Sequence, residues 1–343
     1  MKSIGRQVFG LLAVAASLIF AQSVSAQVVE EPGEGAGSTA YAEAPQFDAA
    51  AAAFAVNPSL VIPASSYTTG GVSLRNRGAG NINISGLPGG PPKVTFIYWT
   101  VINNGVPPAA AQSIQVERLF PLPAAGPAVL KGAVVGVGPS PCWGPAGNTI
   151  ITVYRAVVPG VIAIGNGSYQ VTLLPGAQVV TNGASPWKAF GLPSWDGASM
   201  VMIGPGANTV SIYDHGLAGH TFSPIPAFNY SLKLPLKTVA GVLWDNIASD
   251  GKHSNLGARE ATLTIGDETT TINGPAVSGP GSAYVDSDWN GSAGLPVTEL
   301  WDDTGHDISA SAPAGTVVLN VSVFAGGPLP ADCLTPVANV VQQ

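Results

Sequence analysis

From Tyr67 onward the chain is cut into short runs rich in Val, Ile, Thr and aromatics, broken by Gly, Pro and Asn. Clear runs are V-T-F-I-Y-W-T-V (Val94–Val101), N-T-I-I-T-V-Y (Asn148–Tyr154), S-Y-Q-V-T-L-L (Ser168–Leu174) and A-S-M-V-M-I (Ala198–Ile203). T-V-S-I-Y (Thr209–Tyr213), A-T-L-T-I (Ala261–Ile265) and T-V-V-L-N-V-S-V-F (Thr316–Phe324) follow. Alternation of period two puts one side of each run toward a core, and the breakers supply turns and edge strands. No amphipathic stretch of helical period competes with them. The predicted fold is all-β, a large antiparallel β-sandwich of jelly-roll or Ig-like type, over residues 66–343.

Two segments precede it. Lys2 and Arg6, the apolar run Val8–Phe20 and the small residues Val24-Ser25-Ala26 are ordered as a secretory signal peptide over residues 1–26. Residues 27–65, with E-E-P-G-E-G-A-G-S-T and an alanine run, read as a flexible Ala/Gly/Pro-rich linker. The expected product is secreted, periplasmic or at the cell surface, with no transmembrane span. Without residues 1–26 the net charge falls from −7 to −9, because Lys2 and Arg6 leave with them. That balance argues against nucleic acid as a partner. Charged residues make up only 10% of the chain, so the surface is built largely from Ser, Thr, Asn, Gly and backbone.

Cys142 and Cys333 are the only cysteines. In an oxidising compartment a pair this far apart reads as a disulfide, and closing so long a loop stabilises by ~3–5 kcal/mol. A reactive thiol or a metal ligand is the other reading.

Y-V-D-S-D-W-N-G (Tyr284–Gly291) places Asp286, Asp288 and Asn290 at alternate positions before a glycine, as in the front of a calcium loop. The back half departs from an EF-hand, because position twelve is Val297. Glu299 and Asp302 stand close enough in sequence to complete a shell, with Asp303 and Asp307 beyond. The competing reading is a β-turn whose Asp and Asn side chains cap backbone amides. Asp302 with Asp303, or Asp286 with Asp302, also invites a glycoside-hydrolase reading. Neighbours on a strand face opposite ways, which counts against Asp302 and Asp303 sharing a substrate. His215 and His220 lack a second ligand pair for zinc. No catalytic residue is assigned.

Trp99 lies inside a predicted strand and belongs to the core. Trp187, Trp195 and Trp289 lie among Gly, Pro, Ser and Asp, where they either stack on a sugar ring or plug an end of the sandwich.

Several segments follow one another in a recognisable order. They are F-I-Y-W-T near residue 98, P-C-W-G at 141–144, V-Y-R-A-V-V at 153–158 and G-N-G-S-Y-Q-V at 165–171. W-D-G-A-S-M-V-M-I at 195–203, V-S-I-Y-D at 210–214, D-x-D-W-N-G at 286–291 and V-T-E-L-W-D at 297–302 come after them. The set resembles the DUF3344-like group of secreted bacterial and archaeal β-proteins, whose modules carry Y-L-Y-W, D-V-T, G-W-x-L-V-V-V-Y and I-Y-D-G segments. The likeness covers about residues 90–324. Arg155–Val158 lacks the Asp of the D-V-T segment, and His215 stands where the I-Y-D-G glycine falls. The resemblance implies a non-enzymatic surface or adhesive module with an unnamed protein or glycan ligand. A carbohydrate-binding module is the first alternative and a secreted polysaccharide hydrolase the second.

Overall fold

The computed structural model describes residues 28–29, 54–121, 126–139, 149–178, 190–215, 228–239, 241–249, 268–272, 301–309, 312, 314–325 and 335–343. In chain order the strands are β1 (Val28–Val29), β2 (Phe54–Val56), β3 (Leu60–Ser73), β4 (Ala79–Ile84), β5 (Val94–Asn104) and β6 (Ser113–Phe120). Next come β7 (Ala128–Lys131), β8 (Ala133–Pro139), β9 (Thr149–Val157), β10 (Gly167–Leu173), β11 (Phe190–Gly191), β12 (Gly197–Pro205) and β13 (Asn208–Asp214). The last are β14 (Phe228–Lys233), β15 (Leu243–Ser249), β16 (Glu268–Ile272), β17 (Trp301–Asp307), β18 (Val318–Ala325) and β19 (Thr335–Gln342). One 3-10 turn, Ala109–Gln112, leads into β6. The all-β expectation holds. No helix among the described residues is long and apolar enough to cross a membrane.

The central element is a nine-stranded antiparallel sheet in the order β17-β15-β19-β13-β3-β12-β5-β9-β8. It curls back on itself. β17 stands at one end of that order, yet it touches β3 and β12, and β19 touches β5. Alternation along each strand then feeds two different cores. On β12, Ala198, Met200 and Met202 enter one cluster, whereas Val201 and Ile203 enter another.

Each half of the curled sheet carries a four-stranded sheet on its outer face. The sheet β4-β10-β6-β7 sends Ile82, Val116 and Tyr169 against Val72, Trp99 and Met200. The sheet β16-β18-β14-β2 sends Tyr230, Leu232 and Leu319 against Tyr213, Trp244 and Val341. Between the halves lies a third cluster that includes Tyr98, Val201, Ile212, Ile247, Trp301 and Val340. Burying each such side chain is worth ~1.5–3 kcal/mol, so the apolar faces alone explain the layering.

Aromatic packing needs missing side chains opposite it. Trp99 stacks on Trp195 with ring centroids 5.6 Å apart and on Tyr154 at 5.4 Å. A Cβ on Gly132 would lie 2.5 Å from the Trp99 ring. At Gly197 a Cβ would lie 2.6 Å from the Trp301 ring and 2.5 Å from the Val72 carbonyl oxygen. Gly197 is therefore what lets Trp301 reach β12 across the interlayer.

The ordered sheets begin earlier than the change of texture at Tyr67. β2 and the start of β3 fall inside residues 27–65, where the composition reads as linker. Leu60 and Ile62 pack against the interlayer cluster, and β3 pairs β13 there before turning to β12. The signal-peptide segment, the cysteines and the run at Ala261–Ile265 lie outside the described residues.

Candidate functional site

The polar chemistry collects where the two halves of the curled sheet meet. β15 and β17 are antiparallel, with Asp303 opposite Ile247 and Gly305 opposite Asp245. Asp245 and Asp303 are therefore diagonal neighbours on one face. The other half of the sheet reaches both of them. Thr69 Oγ1 of β3 donates to Asp245 Oδ2 at 2.8 Å, and Ser199 Oγ of β12 donates to Asp303 Oδ2 at 2.6 Å. Trp301 Nε1 donates to Ser199 Oγ at 2.8 Å and fixes that hydroxyl's orientation. Burial pushes the Asp303 carboxyl up to about 6, against the hydrogen bond from Ser199 that pulls it down. Tyr67 of β3 is raised well above the usual phenol range, first by burial and then by the charges of Asp245 and Asp303.

An open cleft of about 310 Å³ borders Asp245. Tyr67, Thr68, Thr69, Asp245, His306 and Asp307 line it, with Leu243 and Gly305. A Cβ at Gly305 would stand 3.1 Å from Asp245 Oδ2, so the glycine leaves room over that carboxylate. Asp307 is exposed and accepts from both the hydroxyl and the amide of Ser309, which hold it below the usual carboxylate range.

Two further polar groups lie fully inside. Arg75 binds Asp196 Oδ1 through Nε at 3.1 Å and Nη2 at 2.7 Å, while Ser249 Oγ donates to Asp196 Oδ2 at 2.5 Å. Asn339 Oδ1 accepts from Tyr230 Oη and Trp244 Nε1, and its amide donates to Asn246. His215 lies beside this second network, edge-on to Tyr230 with centroids 4.8 Å apart. Its burial is complete, and burial lowers its imidazole to about 4.

The residues singled out from sequence divide clearly. Asp286, Asp288, Asn290, Glu299, Trp187, Trp289, Cys142 and Cys333 lie outside the described residues. Trp195 is fully buried between Trp99 and the chain at Ala177, whose carbonyl accepts its Nε1–H at 3.1 Å. It plugs the sandwich, and no ligand ring reaches it; the stacking role is corrected for this residue. Asp302 is fully buried, on the face of β17 opposite Asp303 and toward the Trp244 cluster. Among the described residues no cluster of three His, Cys, Asp or Glu is placed to hold a metal. The acidic stretch W-D-D-T-G-H-D (Trp301–Asp307) is a strand, and its alternation sends Asp303 to the face that carries Asp245 on β15. Asp245, Thr69 and Ser199 were not singled out from sequence. The repeated L-W-D at 243–245 and 300–302 is the one local sign that the two strands belong together.

Comparisons of the chain with protein-family models, curated proteins and solved structures return no match.

Proposed function

We propose that this chain is an exported, non-enzymatic structural or adhesive β-sandwich module that works at the cell surface. One observation carries the reading: the Asp245 and Asp303 carboxylates, neighbours on one face, are each engaged with a hydroxyl of the opposing sheet half. A hydrolase needs such groups aimed at a substrate, whereas a module that presents surface needs its layers joined. The signal-peptide pattern, the 10% charge content and the DUF3344-like segments support the same reading. A Cys142–Cys333 disulfide and calcium held by Asp286, Asp288, Asn290, Glu299 and Asp302 belong to this proposal as stabilising elements of an extracellular protein.

A glycan ligand is the second reading. Its support is the open cleft, which offers one aromatic ring, hydroxyls and the Asp245 and Asp307 carboxylates as acceptors for sugar hydroxyls. The test places the purified chain from Gln27 on arrays of glycans and of extracellular proteins, beside a reducing-sugar assay on polysaccharides. Binding without product release is expected. Release of reducing sugar that Asp245→Asn abolishes contradicts the proposal.

A further inference from the structure

β6 places a charge where a sandwich strand carries an apolar side chain. Ile114, Val116 and Arg118 alternate onto its inner face, and the first two enter the core beneath the sheet β4-β10-β6-β7. Arg118 is next in line and only 5% exposed. Its Nη2 donates to the Asn166 carbonyl at 2.8 Å, and its guanidinium carbon stands 5.9 Å from the centre of the Tyr169 ring. Its Nε is buried and has no hydrogen-bond partner among the described residues. No described carboxylate pairs with this charge. Glu117 alternates to the outer face, and Asp196 and Asp214 are taken by Arg75 and Arg155. The other described carboxylates stand on β15, β16 and β17.

The surroundings of the guanidinium are rigid and neutral. The G-N-G-S-Y-Q-V stretch (165–171) wraps it. Asn166 is pinned by two bonds of 3.0 Å to the amide and the carbonyl of Leu87, and Tyr169 Oη gives its proton to the Gly165 carbonyl. A Cβ on Gly167 would lie 3.1 Å from Arg118 Nε and 2.2 Å from the Phe120 carbonyl oxygen, so the loop closes this tightly only on a glycine. The rim is apolar. Phe120, two positions beyond Arg118 on the same face, is 65% exposed, and Ile164, beside Gly165, is 46% exposed.

We propose that Arg118 is the centre of a binding site for the C-terminal residue of a polypeptide. The carboxylate meets the guanidinium, and an apolar last side chain lies against Phe120 and Ile164. A buried charge is costly without a partner, and the planar fork of a guanidinium matches a carboxylate. Burial of Arg118 admits a group that ends a chain. A sugar acid surrounds its carboxylate with hydroxyls, and the Gly165 and Asn166 carbonyls and the Asn166 amide that would receive them are already engaged. The site is separate from the cleft at Asp245 and from the seam where the two halves of the curled sheet meet.

A nuclear magnetic resonance titration of the ¹⁵N-labelled chain from Gln27 tests the site. The probes are acetyl-Gly-Ser-Leu-Phe with a free carboxylate, the same peptide as its C-terminal amide, and sodium glucuronate. The free-acid peptide is expected to shift the Arg118 Nε–Hε resonance and to bind at least about tenfold more tightly than the amide, the difference made by a charge-assisted pair. Arg118→Lys keeps the charge and loses the fork, and it is expected to weaken the free-acid peptide by about tenfold. Phe120→Ala, at an exposed position, is expected to weaken both peptides by roughly threefold or more. Equal affinities for acid and amide overturn the proposal, as does an Arg118 resonance that glucuronate moves and the free-acid peptide does not. If Arg118→Lys does not fold, the comparison of acid with amide on the wild-type protein decides alone. Neither result depends on the outcome of the glycan and protein arrays.

Discussion

Replacing His215 by phenylalanine should change how stability depends on pH more than it changes stability itself. The imidazole is fully buried against Tyr230, and burial lowers it from 6.5 to about 4. A depressed folded value means that the unfolded chain takes up the proton first as the pH falls. The native state therefore loses stability on acidification from 6.5 to about 4. At about 1.4 kcal/mol per pH unit the loss is about 3 kcal/mol. Asp303 acts in the opposite sense. Its folded value is raised from 3.8 to about 6, so its contribution is complete below 3.8 and is lost as the pH rises through 6. That loss is also about 3 kcal/mol. The two nearly cancel, and wild-type stability from these groups should change by less than about 1 kcal/mol between pH 4 and 6.5. His215→Phe keeps the ring contact and removes the proton, which leaves Asp303 unopposed. Its stability should fall by about 3 kcal/mol as the pH rises from 4 to 6.5, and Asp303→Asn should instead gain about 3 kcal/mol over the same range. Urea denaturation followed by the fluorescence of buried Trp99, Trp195, Trp244 and Trp301 measures all three proteins. A His215→Phe profile parallel to the wild type would refute the reasoning.

Gly197→Ala puts a Cβ within 2.6 Å of the Trp301 ring and 2.5 Å of the Val72 carbonyl, where backbone has to move. A loss of at least about 1–3 kcal/mol is expected in the same urea assay, and a neutral substitution would show that Trp301 does not press on β12. Arg75→Met removes the partner of Asp196 in a fully buried site; a loss of about 3–5 kcal/mol is expected, and a loss below about 1 kcal/mol would contradict the buried pairing. Calcium at Asp286, Asp288 and Asn290 predicts a melting temperature that EDTA lowers and millimolar calcium restores, with Asp288→Ala insensitive to both. At a hundredfold excess over Kd the gain is ~2.7 kcal/mol, and equal melts in all conditions would leave the segment a capped turn.

The strands were legible where alternation is dense. V-T-F-I-Y-W-T-V became β5, S-Y-Q-V-T-L-L became β10 and A-S-M-V-M-I became β12, each within a few residues of the expected bounds. What the sequence hid is the double use of the central sheet. Strands such as β12 are buried on both faces, so Met200 and Val201 read as one continuous run although they enter different cores. The acid pair was illegible for a related reason. D-D-T-G-H-D has the composition of a solvated loop, and only pairing with β15 shows that Asp303 turns inward while Asp302 turns to the opposite core. The partner hydroxyls, Thr69 and Ser199, are ordinary strand residues 234 and 104 positions from Asp303; nothing local marks them. Trp195 misled in the same way, since its Pro-Ser-Trp-Asp-Gly setting looks exposed and its ring is stacked flat on Trp99.

The account stands on contact between β3 and β15 across the curled sheet, and a double-mutant cycle on Thr69 and Asp245 measures that contact directly. The two residues lie 176 positions apart and are joined by one hydrogen bond of 2.8 Å. Thr69→Val, Asp245→Asn and the double variant, unfolded in urea, should show a coupling of about 1 kcal/mol, as for a side-chain hydrogen bond. Effects that add within about 0.3–0.5 kcal/mol would place the two side chains apart and contradict the seam.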